Sequence, residues 1–247
     1  MSVDTPEQLA GLRRAGALAA DVLRVVRGAV APGVSTAELD ALAAERMREA
    51  GARSAPIVTY NFPGAICISL NDEVVHGIPG PRRLRAGDLV KLDVAVELDG
   101  YFGDTATTIV VEPDAGTDTR LIAATRAALA RGMAAATAGA TVRDVGATVE
   151  RIAEARGFSV LRQLVGHGIG RSLHEPPTVY NYAEASARQP LHEGLVLTIE
   201  PMLAGGTREV VGTGDGWTMV TADGTRAAHE EHTIVVTAGE PIVLTAA

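Results

Sequence analysis

The chain has 247 residues, 47% of them hydrophobic, enough to bury one substantial core without calling for a second domain. Its formal charge of -8 argues against the broad basic face of a nucleic-acid binder, and no specific nucleic acid is expected as a partner. No run approaches the roughly 18 uncharged apolar residues of a membrane span, and the polar opening MSVDTPEQLAGLRRAG lacks the apolar core of a signal peptide, so a soluble, cytoplasmic protein is expected. A single cysteine, Cys67, rules out an internal disulfide and a cysteine-rich zinc site, so any metal must be held by oxygen and imidazole.

Thr5-Pro6-Glu7-Gln8 joins a cap residue, a proline at the first helical position and a glutamine three after the cap. Leu9, Leu12, Ala15, Ala19, Val22 and Val26 follow at helical spacing and predict a helix to about Val30. Ser35-Thr36-Ala37-Glu38 is a second capping box, and Leu39, Leu42 and Met47 lead from it to the terminator Gly51, giving a helix over about 36 to 50. The pattern returns 106 residues later, a spacing fixed by Gly33 with Gly139, Ala41 with Ala147 and Gly51 with Gly157. There a helix over about 118 to 138 precedes the capping box at Thr141-Val142-Arg143-Asp144, with Val145, Val149 and Ile152 apolar. Two similar halves around one cleft are expected. Strand-like runs occupy about 55 to 60, 65 to 70, 88 to 98, 101 to 111, 159 to 165, 194 to 203, 217 to 221 and 231 to 244, so helix pairs alternate with antiparallel hairpins in an α+β chain. Arg82, Arg83 and Arg85 read as a solvated loop.

Five side chains end or interrupt these apolar runs: Asp93, Asp104, His167, Glu200 and Glu231. Burying unpaired charge costs several kcal/mol per ion, so a convergence of such groups in the interior calls for cations. Asp99-Gly100 is a strong two-residue hairpin signal; as the turn, it sets Leu98 against Tyr101, Ala95 against Asp104 and Asp93 against Ala106. Asp93 and Asp104 then become diagonal neighbours on one face, about 7 Å apart at the backbone. A cation between them would offset their repulsion; the bland alternative is a pair of aspartates on a wet hairpin face. His167 sits between Gly166 and Gly168, where glycines allow close backbone approach, and a structural histidine is the competing reading. Read as a phosphate loop, the GHGIG segment lacks the dinucleotide spacing and the following helix. Glu200 ends an apolar strand at Pro201, and Glu230 and Glu231 open another, with nothing in the pattern to choose between the two.

The segments NDEVVHGIP, LDVAVELDGYFGDTATT, GHGIG, LHEPP, LTIEPM and EEHTIVV closely resemble type I methionine aminopeptidases of the bacterial kind, and the resemblance runs from Thr5 to the end of the chain. It implies a pseudo-two-fold "pita-bread" aminopeptidase fold: an antiparallel sheet with paired helices outside, around a central dinuclear metal site. It also implies one catalytic domain over 1–247, with halves of about 1–111 and 112–247. Carried over, Asp93, Asp104, His167, Glu200 and Glu231 are the metal ligands, Asp104 and Glu231 bridging, and the match chooses Glu231 over Glu230. Two divalent ions, cobalt, manganese, iron or zinc, would balance four carboxylates and generate a hydroxide nucleophile, with Glu200 shuttling the proton. His76 and His174 resemble the family's substrate-positioning histidines, whereas Glu175 is expected at the surface. Tyr60, Phe62, Cys67 and Trp217 are the implied methionine pocket. TYNFPG is one residue shorter than the usual family segment and Leu173 stands where many members carry phenylalanine, so the pocket's shape is expected to depart from theirs.

The activity implied is removal of the N-terminal initiator methionine from nascent proteins with a small second residue. Transient ribosome contact and a monomeric state are further expectations. Two alternatives remain. An Xaa-Pro-type aminopeptidase of the same fold usually carries an added N-terminal domain, and here the first catalytic-domain helix starts at Thr5. A non-catalytic peptide- or ribosome-binding homologue typically loses ligands, and this chain has all five.

Overall fold

The computed structural model describes residues 1–112 and 118–246. The expected junction between the halves borders residues 113–117, which lie outside the described residues. Helix α1 (Pro6–Gly28) and helix α2 (Thr36–Glu49) begin at the two expected capping boxes, with both reciprocal hydrogen bonds made at Thr5/Gln8 and Ser35/Glu38. A short helix α3 (Ala55–Tyr60) follows, then α4 (Thr119–Ala135) and α5 (Val142–Ala155), the last capped by Thr141 and Asp144. Among the described residues no helix is long and apolar enough to cross a membrane.

Residues 55 to 60 are therefore helical, not a strand. The β-branched run Ile57-Val58-Thr59 favours a strand locally, but the Ser54 hydroxyl caps Ile57 N, Pro56 occupies the first turn, and Asn61 ends the segment in the left-handed region at φ 58°. Other expected strands are shorter or divided. The 159–165 run keeps only Ser159–Val160; 194–203 divides into Val196–Ile199 and Met202–Ala204 around Glu200-Pro201; 231–244 divides into Glu231–Val235 and Ile242–Val243. Strands at Glu73–Val75, Glu175–Val179, Val210–Gly212 and Ala227–His229 have too few apolar residues to be found by pattern.

The central feature is the hairpin of Leu89–Leu98 and Tyr101–Val110, paired over ten residues in the register set by the Asp99-Gly100 turn, whose φ values are 53° and 76°. Glu231–Val235 adds to its free edge through Glu231 opposite Ala106, and Val196–Ile199 pairs beyond that. Gly166–Gly168 and Glu175–Val179 complete the path, while Cys67–Leu70 lies along Leu89–Leu98. Helix α1 packs on the hairpin by Leu12, Ala15, Ala19, Val22 and Val26, all buried. The approach is close enough that a Cβ on Gly103 would lie 2.8 Å from Gly16 N.

The halves repeat in their hydrogen bonds as well as their sequence. Gly33 N donates to Leu84 O at 2.8 Å and Gly139 N to Leu191 O at 2.9 Å; Thr36 N donates to Arg82 O and Val142 N to Gln189 O. Arg53–Ser54 edges one hairpin as Ser159–Val160 edges the other. Arg82 and Arg83 point to solvent and pair with Glu73 and Glu38 of their own chain.

Candidate metal centre

Sheet register brings the acidic groups together. Asp93 faces Ala106, which faces Glu231 on its other side, so the two carboxylates flank one small residue in a single cross-strand row. Asp104 lies two residues before Ala106 on the same face. Its backbone is held by Thr233, whose hydroxyl accepts from Asp104 N at 3.1 Å and donates to Asp104 O at 2.7 Å. Glu200 arrives where its strand breaks at Pro201, and His167 arrives on Gly166–Gly168. Thr198 couples the two: its hydroxyl accepts His167 N–H at 2.9 Å and donates to Glu200 Oε1 at 2.7 Å.

Glu230 turns the other way. It accepts from Arg126 Nε at 3.0 Å, from Thr108 N at 3.2 Å and from the Thr107 hydroxyl at 3.1 Å, a structural ion pair behind the sheet.

The cluster has the character of a cation site. Ligand atoms of Asp104, His167 and Glu231 lie within 4.8 Å of one another. His167 Nδ1 donates to Gly168 O at 2.9 Å, which fixes the tautomer and leaves Nε2 bare, 3.4 Å from Glu200 Oε1 and 3.9 Å from Asp104 Oδ2. Asp104 Oδ1 and Glu231 Oε1 are buried without a hydrogen-bond partner among the described residues. Burial raises Asp93 to about 7 and Glu200 to about 8. Asp104 and Glu231 are pushed well above the carboxylate range by burial and then by the neighbouring carboxylates. Burial pushes His167 down to about 3, so it stays neutral, the form that binds metal. Bare acceptors, clustered acids and one neutral imidazole fit a divalent cation.

All eleven residues singled out in the sequence line one cavity of about 680 Å³. His76 and His174 are exposed on its walls. His76 sits in the left-handed region at φ 58°, and His174 Nδ1 meets the Tyr60 hydroxyl at 2.6 Å. The rings of His174 and His167 are 4.1 Å apart. Phe62 is buried edge-on to Trp217 with centroids 5.1 Å apart, Cys67 is buried opposite Asp93, and Tyr60 is 46% exposed at the mouth. Burial and the surrounding carboxylates hold the Cys67 thiol protonated.

Glu175 is not the surface residue expected. Its side chain is 18% exposed, because it accepts Arg171 N and Ser172 N at 2.7 and 2.8 Å and pairs with the Met1 ammonium. His229, which also lines the cavity, is missing from the sequence reading. The available signal was its position two residues before Glu231.

The sequence model of Metallopeptidase family M24 matches residues 10–238. The chain belongs to metallopeptidase family M24. Within the family it is similar to "Methionine aminopeptidase B" of Synechocystis sp., 42% identical over 246 residues that cover 97% of this chain and 90% of that one. The crystal structure of methionine aminopeptidase from Rickettsia prowazekii superposes with a TM-score of 0.95 at 37% identity, covering 100% of both chains. Prolidase from Pyrococcus furiosus has a TM-score of 0.80 at 22% identity and shares the fold, with this chain covering 65% of its length. The M24 fold accounts for the paired helices, the curled antiparallel sheet and the pseudo-two-fold repeat.

Proposed function

We propose that this M24 member is a methionine aminopeptidase: it hydrolyses the first peptide bond of nascent polypeptides and releases the initiator methionine, preferring a small second residue. The observation that carries the reading is the junction, in one cavity, of the acid–imidazole cluster with the apolar walls of Phe62, Cys67 and Trp217. The chain acts as a single catalytic domain of two halves, in the cytoplasm, as a monomer that meets nascent chains near the ribosome.

Asp93, Asp104, His167, Glu200 and Glu231 would hold two divalent ions of the manganese, iron, cobalt or zinc class, with Asp104 and Glu231 contributing to both. A metal bound there would supply Lewis-acid polarisation of the scissile carbonyl and a lowered proton affinity for water. Phe62, Cys67 and Trp217 enclose the methionine side chain, with Tyr60 closing the mouth. His174, whose Nδ1 is engaged by Tyr60, presents Nε2 to the carbonyl oxygen as negative charge develops there. His76, which lines the same cavity, orients the peptide. Glu200 takes the proton from the attacking water and delivers it to the leaving amine, with Thr198 holding its other oxygen.

The test uses purified protein with Met-Ala-Ser and an Xaa-Pro peptide, before and after chelation. Free methionine released only from the first peptide, lost on chelation and restored by added metal, is the expected result. Metal-independent release, or cleavage confined to the Xaa-Pro peptide, overturns the reading.

A further inference from the structure

His229 ends the Ala227–His229 strand with 2% of its surface exposed, and among the described residues neither ring nitrogen has a hydrogen-bond partner. A fully buried imidazole without partners carries a free-energy cost that local packing does not explain. Its Nε2 lies 3.7 Å from Glu231 Oε2 and 3.8 Å from Glu200 Oε2. Both distances exceed a hydrogen bond. A neutral imidazole carries its proton on one of the two nitrogens.

The two tautomers differ in what they face. With the proton on Nδ1, a buried N–H has no acceptor while a lone pair points at two carboxylates. With the proton on Nε2, the N–H points at those carboxylates and only a lone pair is left bare, which costs less. Glu200 is already held at Oε1 by Thr198, so its Oε2 is the free end, facing His229.

We propose that His229 is a positioning residue of the metal centre, its Nε2–H shared between Glu231 and Glu200 so that two carboxylates from separate strands are aimed at the same ion. Resting on the metallopeptidase reading above, this adds a sixth side chain that acts through the ligands. Neutral imidazole donors of this kind typically alter metal affinity without touching substrate.

Manganese binding to the chelated full-length protein, followed by isothermal titration, separates the possibilities. His229→Gln keeps an N–H donor of similar reach; His229→Leu keeps bulk and loses the donor. As with other groups that orient ligands, His229→Leu should weaken manganese about 10- to 100-fold, with His229→Gln within about threefold of wild type. Equal weakening in both overturns the proposal, since a direct ligand or a packing role is not rescued by an amide. Unchanged affinity in His229→Leu overturns it too. Should His229→Leu fail to fold, His229→Gln decides alone: folded protein with tenfold or greater loss, about 1.4 kcal/mol, refutes the donor role. No peptide enters the titration, so a wild type that binds manganese yet releases no methionine would sink the functional reading and leave this test standing.

Discussion

Thr198→Val removes one hydroxyl from the point where two candidate ligands meet. Thr198 is 0% exposed, and its Oγ1 serves His167 N at 2.9 Å and Glu200 Oε1 at 2.7 Å. Valine fills the same space in a strand, so the change isolates the hydrogen bonds. An orphaned buried N–H costs about 1–3 kcal/mol, and a lost bond to the carboxyl, protonated at pH 7, adds about 0.5–1.5, so a loss of about 3 kcal/mol is expected in the metal-free protein at pH 7. Metal affinity should fall about 10- to 100-fold, as for other groups that orient ligands. The pH dependence adds a signature. Burial raises the folded pKa of Glu200 from 4.5 to about 8, against the lowering effect of Thr198. A group that binds its proton more tightly when folded costs stability as pH rises from its unfolded value to its folded one, and then the cost levels off. In Thr198→Val the folded value moves higher, so the deficit is constant below about pH 8 and widens above it. Urea unfolding of chelated wild type, Thr198→Val and Thr198→Ser from pH 6 to 9.5 measures this. Equal stability and equal manganese affinity in the valine variant, or a gap that narrows above pH 8, would refute the reasoning.

Lys91 is the one lysine, 1% exposed, donating to Asn71 O at 2.7 Å, with burial lowering its pKa from 10.5 to about 7. The charged folded form is therefore unfavourable by about 4.5 kcal/mol at pH 6.5 and the penalty vanishes towards pH 10.5, so Lys91→Met, which also loses the bond to Asn71 O worth about 1–1.5, should be more stable by about 3 kcal/mol at pH 6.5, with the gain shrinking as pH rises. Lower stability of that variant at pH 6.5 in urea unfolding contradicts this. Phe62→Ala leaves Trp217 without its edge-on partner and should cost about 3 kcal/mol while raising KM for methionine peptides more than it lowers kcat. Peptide kinetics with KM unchanged would remove Phe62 from the pocket wall. Chelation should lower the melting temperature at pH 8, where the clustered carboxyls are most costly without a cation, and added manganese should restore it; scans that coincide with and without metal would argue against the site.

The sequence was most informative where one local rule dominates. The Asp99-Gly100 turn admits one register, so the Asp93–Asp104 diagonal was readable before any fold was known, and the capping boxes located three helix starts to the residue. Residues 55 to 60 misled because side-chain branching favours a strand, while the Ser54 cap and Pro56 act through the backbone. The broken strands misled because apolar character continues across Glu200-Pro201 although the ladder does not. Glu230 and Glu231 could not be separated from pattern alone: Arg126 and Thr108, which engage Glu230, lie more than 100 residues away. His229 escaped for a related reason, since a histidine between an alanine and a glutamate gives no sign of burial.

The two halves differ at one level of the ladder. The first hairpin runs unbroken for ten pairs, whereas in the second half both strands are interrupted side by side, between Ile199 and Met202 on one and between His229 and His232 on the other. Glu200 sits in that interruption, and Glu231 at its edge is laddered on one side only, to Ala106. Local opening is cheapest where ladder bonds are missing, so the second half can breathe while the first stays shut. Amide hydrogens beside the interruption should exchange ahead of those at Asp93 and Asp104, and metal should slow the former more. If the proposed centre is loaded, ion loss should begin from the glutamate side, leaving two aspartates in place to receive the next ion.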